Sequence, residues 1–192
     1  MAKFFANLNL VLCVGLILAV LIAVFPDSGY ADAAGASDLT RGVLQWVHVF
    51  FGITWIGLLY YFNFVQTPTM PTIPAELKPG VSKYIAPKAL FYFRWGAAFT
   101  VLTGLLLAWS YGELVEALTL QPSARLIGIG MWLALIMAFN VWVIIWPNQK
   151  KVLGLVAADD AAKAKAAATA GMASRLNVLL SIPMLLAMTN AH

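Results

Sequence analysis

Five apolar stretches, at about residues 8–25, 43–65, 89–110, 124–147 and 174–191, are each long enough to cross a membrane. A hydrocarbon core about 30 Å thick needs roughly 20 helical residues. Within it only structures that satisfy their own backbone hydrogen bonds are viable. The expected fold is therefore all-α: a polytopic membrane helix bundle with five transmembrane helices, forming a single membrane domain over residues 1–192. With 62% hydrophobic and 10% charged residues, and a mean hydropathy of +0.85, the chain lies far from soluble globular composition.

The few charges orient the bundle. Lys3, Lys78, Lys83, Lys88, Lys150, Lys151, Lys163, Lys165 and Arg175 fall in the N-terminus and the second and fourth loops. The first and third loops carry only Arg41 and Arg125, beside Asp27, Asp32, Asp38, Glu113 and Glu116. By the positive-inside rule the N-terminus is cytoplasmic and the C-terminus periplasmic, in a bacterial inner (plasma) membrane. The basic pI of about 9.3 thus reflects orientation rather than nucleic-acid binding. No nucleotide-binding, hydrolase-triad, zinc-protease or nucleic-acid motif is present.

Lys3, the first apolar run and Ala31-Asp32-Ala33 also resemble a secretory signal, and retention as a signal anchor is expected. Residues 26–42 read as an outer connector. The prolines of Thr67 to Pro74 and of Lys78-Pro79-Gly80 predict extended structure. Ala157 to Ala168 predicts a short surface helix, ended near Gly171.

Cys13 is the only cysteine, which excludes a disulfide and a Cys-x-x-Cys-His site for covalent haem attachment. It is expected as a small buried hydrophobe. The two histidines point to chemistry. His48 lies inside the second apolar segment, about 10 Å below Arg41 at 1.5 Å per residue, and His192 ends the fifth near the same face. Two neutral imidazoles at matched depth suit an axially ligated haem b or, less often, copper.

Stepping back from His192 by helical intervals gives Met188, Leu185 or Met184, Ser181 and Asn177, a stripe expected to face the bundle interior. Copper is the alternative cofactor, because the thioethers of Met188 and Met184 pair well with imidazole around that ion. On the second helix His48, Trp55 and Phe62 share a face, and Gly52 and Gly57 permit close approach of a macrocycle or another helix. Arg94 is placed toward the inner face, as an interfacial anchor or as a binding group for an anion, a quinone carbonyl or a haem propionate. Asn140 is expected to hydrogen-bond between helices.

Four blocks resemble the membrane domain of the bacterial cytochrome c-type urate hydroxylases (urate oxidase N-terminal family). They are Trp46-Val47-His48-Val49 through Gly57; Arg94-Trp95 with Leu102-Thr103-Gly104; Asn140 through Pro147-Asn148-Gln149-Lys150-Lys151-Val152; and Asn177 through Ser181, Met188, Asn190 and His192. The His48 block is also similar to haem-binding membrane protoporphyrinogen oxidases and copper-resistance membrane proteins. The resemblance implies a membrane oxidoreductase with cytochrome c as electron partner. It also implies a Glu where this chain has Gly96 and a His where it has Leu176. The expectation is therefore an electron-transfer relative or an accessory subunit of a larger membrane complex. It would bind cofactor through His48, His192, Trp55 and Gly52, in contact with the lipid bilayer and with further copies in a homo-oligomer.

Overall fold

The computed structural model describes residues 6–24 and 36–191, and all regular structure among them is helical. Two compact units divide the chain, Met1–Val43 and Leu44–His192. The first contains α1, Leu8–Val24, whose apolar side chains run around its whole circumference. Most of them, from Leu8 to Ile22, are exposed. Cys13 is exposed with them, against the expectation of a buried thiol.

Among the described residues four helices are long and apolar enough to span a membrane: α2, Leu39–Thr72; α3, Lys78–Ser110; α5, Pro122–Val152; and α6, Asp160–Thr189. A short helix, α4, Leu114–Leu118, joins α3 to α5. The expected first span is α1, which has 17 residues and is not one of these four.

Three boundaries differ from expectation. Helical geometry in α2 begins at Ala36, so residues 36–42 are not a connector. Thr67–Thr69, Met70–Thr72 and Lys78–Gly80 are helical turns rather than extended chain. Each carries its proline at the first or second position. Pro79 falls in the first turn of α3, where the missing N–H has no helical partner to lose, whereas Pro68 and Pro71 lie in the continuing last turns of α2. Gly171 does not end a helix either, because α6 continues for 30 residues from an Asp159 cap whose side chain accepts the Ala162 N–H at 2.7 Å. Residues 25–35 and His192 lie outside the described residues, and with them the Ala31-Asp32-Ala33 triplet.

Two helix ends use the left-handed backbone. Gly112 (φ +75°) and Gly154 (φ +73°) follow α3 and α5. They let Glu113 N–H reach back to the Ala108 carbonyl at 3.0 Å and Leu155 N–H to that of Lys150 at 2.9 Å. These bonds satisfy carbonyls that the helix ends would leave bare.

In the second unit Trp55, Leu59, Phe93, Met137 and Val141 are essentially fully buried where α2, α3, α5 and α6 meet. Lipid is as apolar as leucine, so packing and interhelical hydrogen bonds, rather than water exclusion, hold such helices together. Asn140 donates from Nδ2 to Asn177 Oδ1 at 2.8 Å, and Asn177 donates to the Met137 carbonyl at 3.0 Å. The interhelical role expected of Asn140 is thereby met. Asn177, Ser181 and Met184 of the α6 stripe are buried, whereas Leu185 is exposed.

Candidate functional site

His48 is carried by α2 against α3. Its Nδ1 lies 2.9 Å from the Thr100 carbonyl oxygen and 3.3 Å from Thr103 Oγ1. A carbonyl only accepts, so Nδ1 bears the proton and donates. The Thr103 hydroxyl spends its own proton on the Phe99 carbonyl at 2.6 Å, which leaves its lone pairs for the same imidazole N–H. Nε2 is then the unprotonated nitrogen, with no hydrogen-bond partner among the described residues. An anchored Nδ1–H and a bare Nε2 is the arrangement that fixes an imidazole as a metal ligand.

Gly104 makes the pose possible. A Cβ there would stand 2.8 Å from His48 Cε1 and 3.1 Å from Nδ1, so any larger residue would displace the ring. Gly96 works in the same way one level deeper. A Cβ at that position would meet the Trp55 backbone nitrogen at 3.3 Å and Cα at 3.4 Å. The glutamate that the urate hydroxylase resemblance implies at this position would need the Trp55 backbone to shift by a few tenths of an ångström. Leu176, where the resemblance implies a histidine, is 46% exposed, while its neighbour Asn177 is wholly buried.

His48 lines a cavity of about 540 Å³. That falls within the size range of cofactor and small-molecule sites. Gly52, Trp55, Thr100 and Gly104 form one wall with it, and Met131, Met184 and Met188 contribute from α5 and α6. Gln45, Tyr111, Glu113 and Thr189 also border it, a small polar share of a mainly apolar lining. Tyr60 lies deeper, its hydroxyl 2.9 Å from Ser181 Oγ. Trp55 has 0% exposure, and its indole N–H finds no acceptor. Leaving such a donor unpaired costs about 1–3 kcal/mol.

The cavity brings together His48, Trp55, Gly52, Met184 and Met188 of the residues expected from the sequence. His192 lies outside the described residues. Phe62, expected on the same face, is not in the lining and stacks edge-on with Phe93, ring centroids 5.7 Å apart. Thr100, Gly104, Tyr60 and Met131 were not expected there. The sequence signal for the first two was the run Thr100 to Gly104, a hydroxyl-and-glycine face in an otherwise apolar helix.

Arg94 stands elsewhere, six residues before Thr100 on α3, about 9 Å along the helix. Its guanidinium carbon lies 3.3 Å from the centroid of the Trp146 ring. Among the described residues no three His, Cys, Asp or Glu side chains gather into a metal site.

The likeness to a known family falls on the α4–α5–α6 wall. Residues 114–192 match the urate oxidase N-terminal family. The match supports the assignment drawn from the motifs and includes both the Asn140 block and the Asn177 block, hence Met131, Met184 and Met188. The His48 and Arg94 blocks precede it. Comparisons with curated proteins and with solved structures returned no match.

Proposed function

We propose that this member of the urate oxidase N-terminal family is a bacterial inner-membrane redox protein that holds a b-type haem at His48. The observation that carries the reading is the tethered imidazole: Nδ1–H bound to the Thr100 carbonyl, Nε2 bare, on a residue lining a large apolar cavity. When bound, haem supplies a one-electron couple. The chain's own residues do the rest. Thr100 and Thr103 fix the plane and tautomer of the ligand, and their hydrogen bonds raise its basicity. The apolar lining excludes water, which tunes the potential. At the polar border the Gln45 amide would offer a hydrogen-bond donor to a carboxylate substituent. His192, expected from the sequence, or the Met188 thioether at the cavity wall would supply a second ligand. Electrons pass to a cytochrome c or to a larger membrane complex in which the chain is a subunit.

One observation favours a second reading. Met131, Met184 and Met188 surround the cavity that His48 lines, and thioethers with imidazole suit copper.

The test is the absorption spectrum of the purified full chain, with and without dithionite, beside elemental analysis. A Soret band that reduces to a low-spin spectrum is expected. Absence of both Soret absorbance and haem in a pyridine assay overturns the first reading, and stoichiometric copper establishes the second. Deleting His192 then identifies the trans ligand: conversion to a high-spin spectrum assigns it to His192, and an unchanged low-spin spectrum excludes that residue.

A further inference from the structure

The Pro147-Asn148-Gln149-Lys150-Lys151 block plays no part at the His48 cavity, yet it flanks the one aromatic ring in the described structure that contacts two cations. Arg94 lies 3.3 Å from the centroid of Trp146, and Lys150 Nζ lies 5.9 Å from the same centroid. No carboxylate is within ion-pair distance of either cation among the described residues. Arg94 Nη1 is buried with no hydrogen-bond acceptor.

A guanidinium never gives up its charge in a protein, and inside a membrane an unpaired one is costly. An indole face offsets part of that cost but accepts no N–H hydrogen bond in the ring plane. The two charges are therefore short of an anion with oxygen acceptors. Depth identifies which anion. Arg94 is 16 residues from the far end of α3 at Ser110, about 24 Å in a core of about 30 Å. Its head thus reaches the boundary between acyl chains and headgroups, at the end of the bundle that also carries Lys83, Lys88, Lys150 and Lys151. Trp146 directly follows a π-helical stretch, Asn140–Ile145. Such wide turns re-aim side chains and are frequent at functional sites.

We infer that Arg94, Lys150 and Trp146 form a binding site for the phosphodiester of an anionic phospholipid headgroup. Arg94 donates to the phosphate oxygens through the fork that Trp146 holds flat, and Lys150 adds a second positive charge. Basic pockets between helices on the lysine-rich side of a membrane bind headgroups in this way.

The full chain in a neutral detergent, titrated with phosphatidylglycerol or phosphatidylcholine and read by native mass spectrometry and by thermal unfolding, tests this. Wild-type protein is expected to retain phosphatidylglycerol in preference to phosphatidylcholine and to gain melting temperature from it. Arg94→Gln should bind phosphatidylglycerol about tenfold more weakly. Lys150→Gln should lose less, and keeps the test decisive if the first variant fails to fold. Equal retention of the two lipids by wild-type protein overturns the proposal, as does undiminished phosphatidylglycerol binding by the variants. Stabilisation reproduced by millimolar inorganic phosphate alone overturns the lipid as the source of the phosphate group.

Discussion

Two interhelical polar contacts in the same unit are built to different ends. Where α5 meets α6, Asn140 and Asn177 are 5% and 0% exposed, and Asn177 both accepts from its partner and donates to a backbone carbonyl. Where α2 meets α3, His48 is only half-buried, spends one ring nitrogen on Thr100 and Thr103, and leaves the other bare. The first contact is closed and packed. The second borders about 540 Å³ of cavity together with an indole N–H that has no acceptor. A buried polar group whose bonds are all made is accounted for by stability; one whose bonds are half made is waiting for a partner.

The sharpest way to break that contrast is His48→Ala. It is expected to abolish bound haem while lowering the thermal stability of the ligand-free protein less than loss of Asn177 does, because the contact it breaks is only half-buried. Retention of the wild-type spectrum would refute the assignment of His48. Asn177→Ala should do the reverse. Loss of two buried hydrogen bonds predicts a destabilisation of about 1–2 kcal/mol in detergent unfolding, with the spectrum preserved. A destabilisation no larger than that of an exposed control such as Leu179→Ala would erase the distinction between the two contacts.

Gly104→Ala sharpens the comparison further. The added Cβ drives the imidazole aside from 2.8 Å, so a shifted or partly high-spin spectrum is expected with little change in melting temperature. An unshifted spectrum would mean that the ring has room the structure denies it. The smallest effect is expected from Arg94→Ala, which lies about 9 Å further along α3 from the His48 anchor and should leave the haem spectrum as it is. A collapsed spectrum would join two sites that the structure keeps apart.

Much of this was legible in the sequence because a bilayer leaves the chain few options. The lengths of the apolar runs predicted helices, and the burial of Asn177, Ser181 and Met184 followed from their spacing on one face of α6. What escaped was whatever hydropathy does not encode. Helices persist beyond the apolar run as long as their backbone bonds can be made, so α2 runs from Ala36 through two prolines to Thr72 and α3 starts at Lys78. Gly171 looked like a stop, but nothing around it requires left-handed backbone; among the described residues Gly112, Gly154 and Leu120 adopt it. At the site, His48 stood out as a rare side chain in an apolar segment. Its anchor did not, because the acceptor is the backbone carbonyl of Thr100, which no side-chain pattern reveals.

Val49 and Ile53 line the cavity and are 49% and 69% exposed, so its wall is continuous with the apolar girdle of the helices. A hydrophobic guest arriving through that wall diffuses in two dimensions, within the acyl chains. Its effective concentration is then fixed by its oil–water partition coefficient and hardly at all by its amount in the aqueous phase. Loading becomes a property of the surrounding lipid, faster where the guest is made or released in the same bilayer.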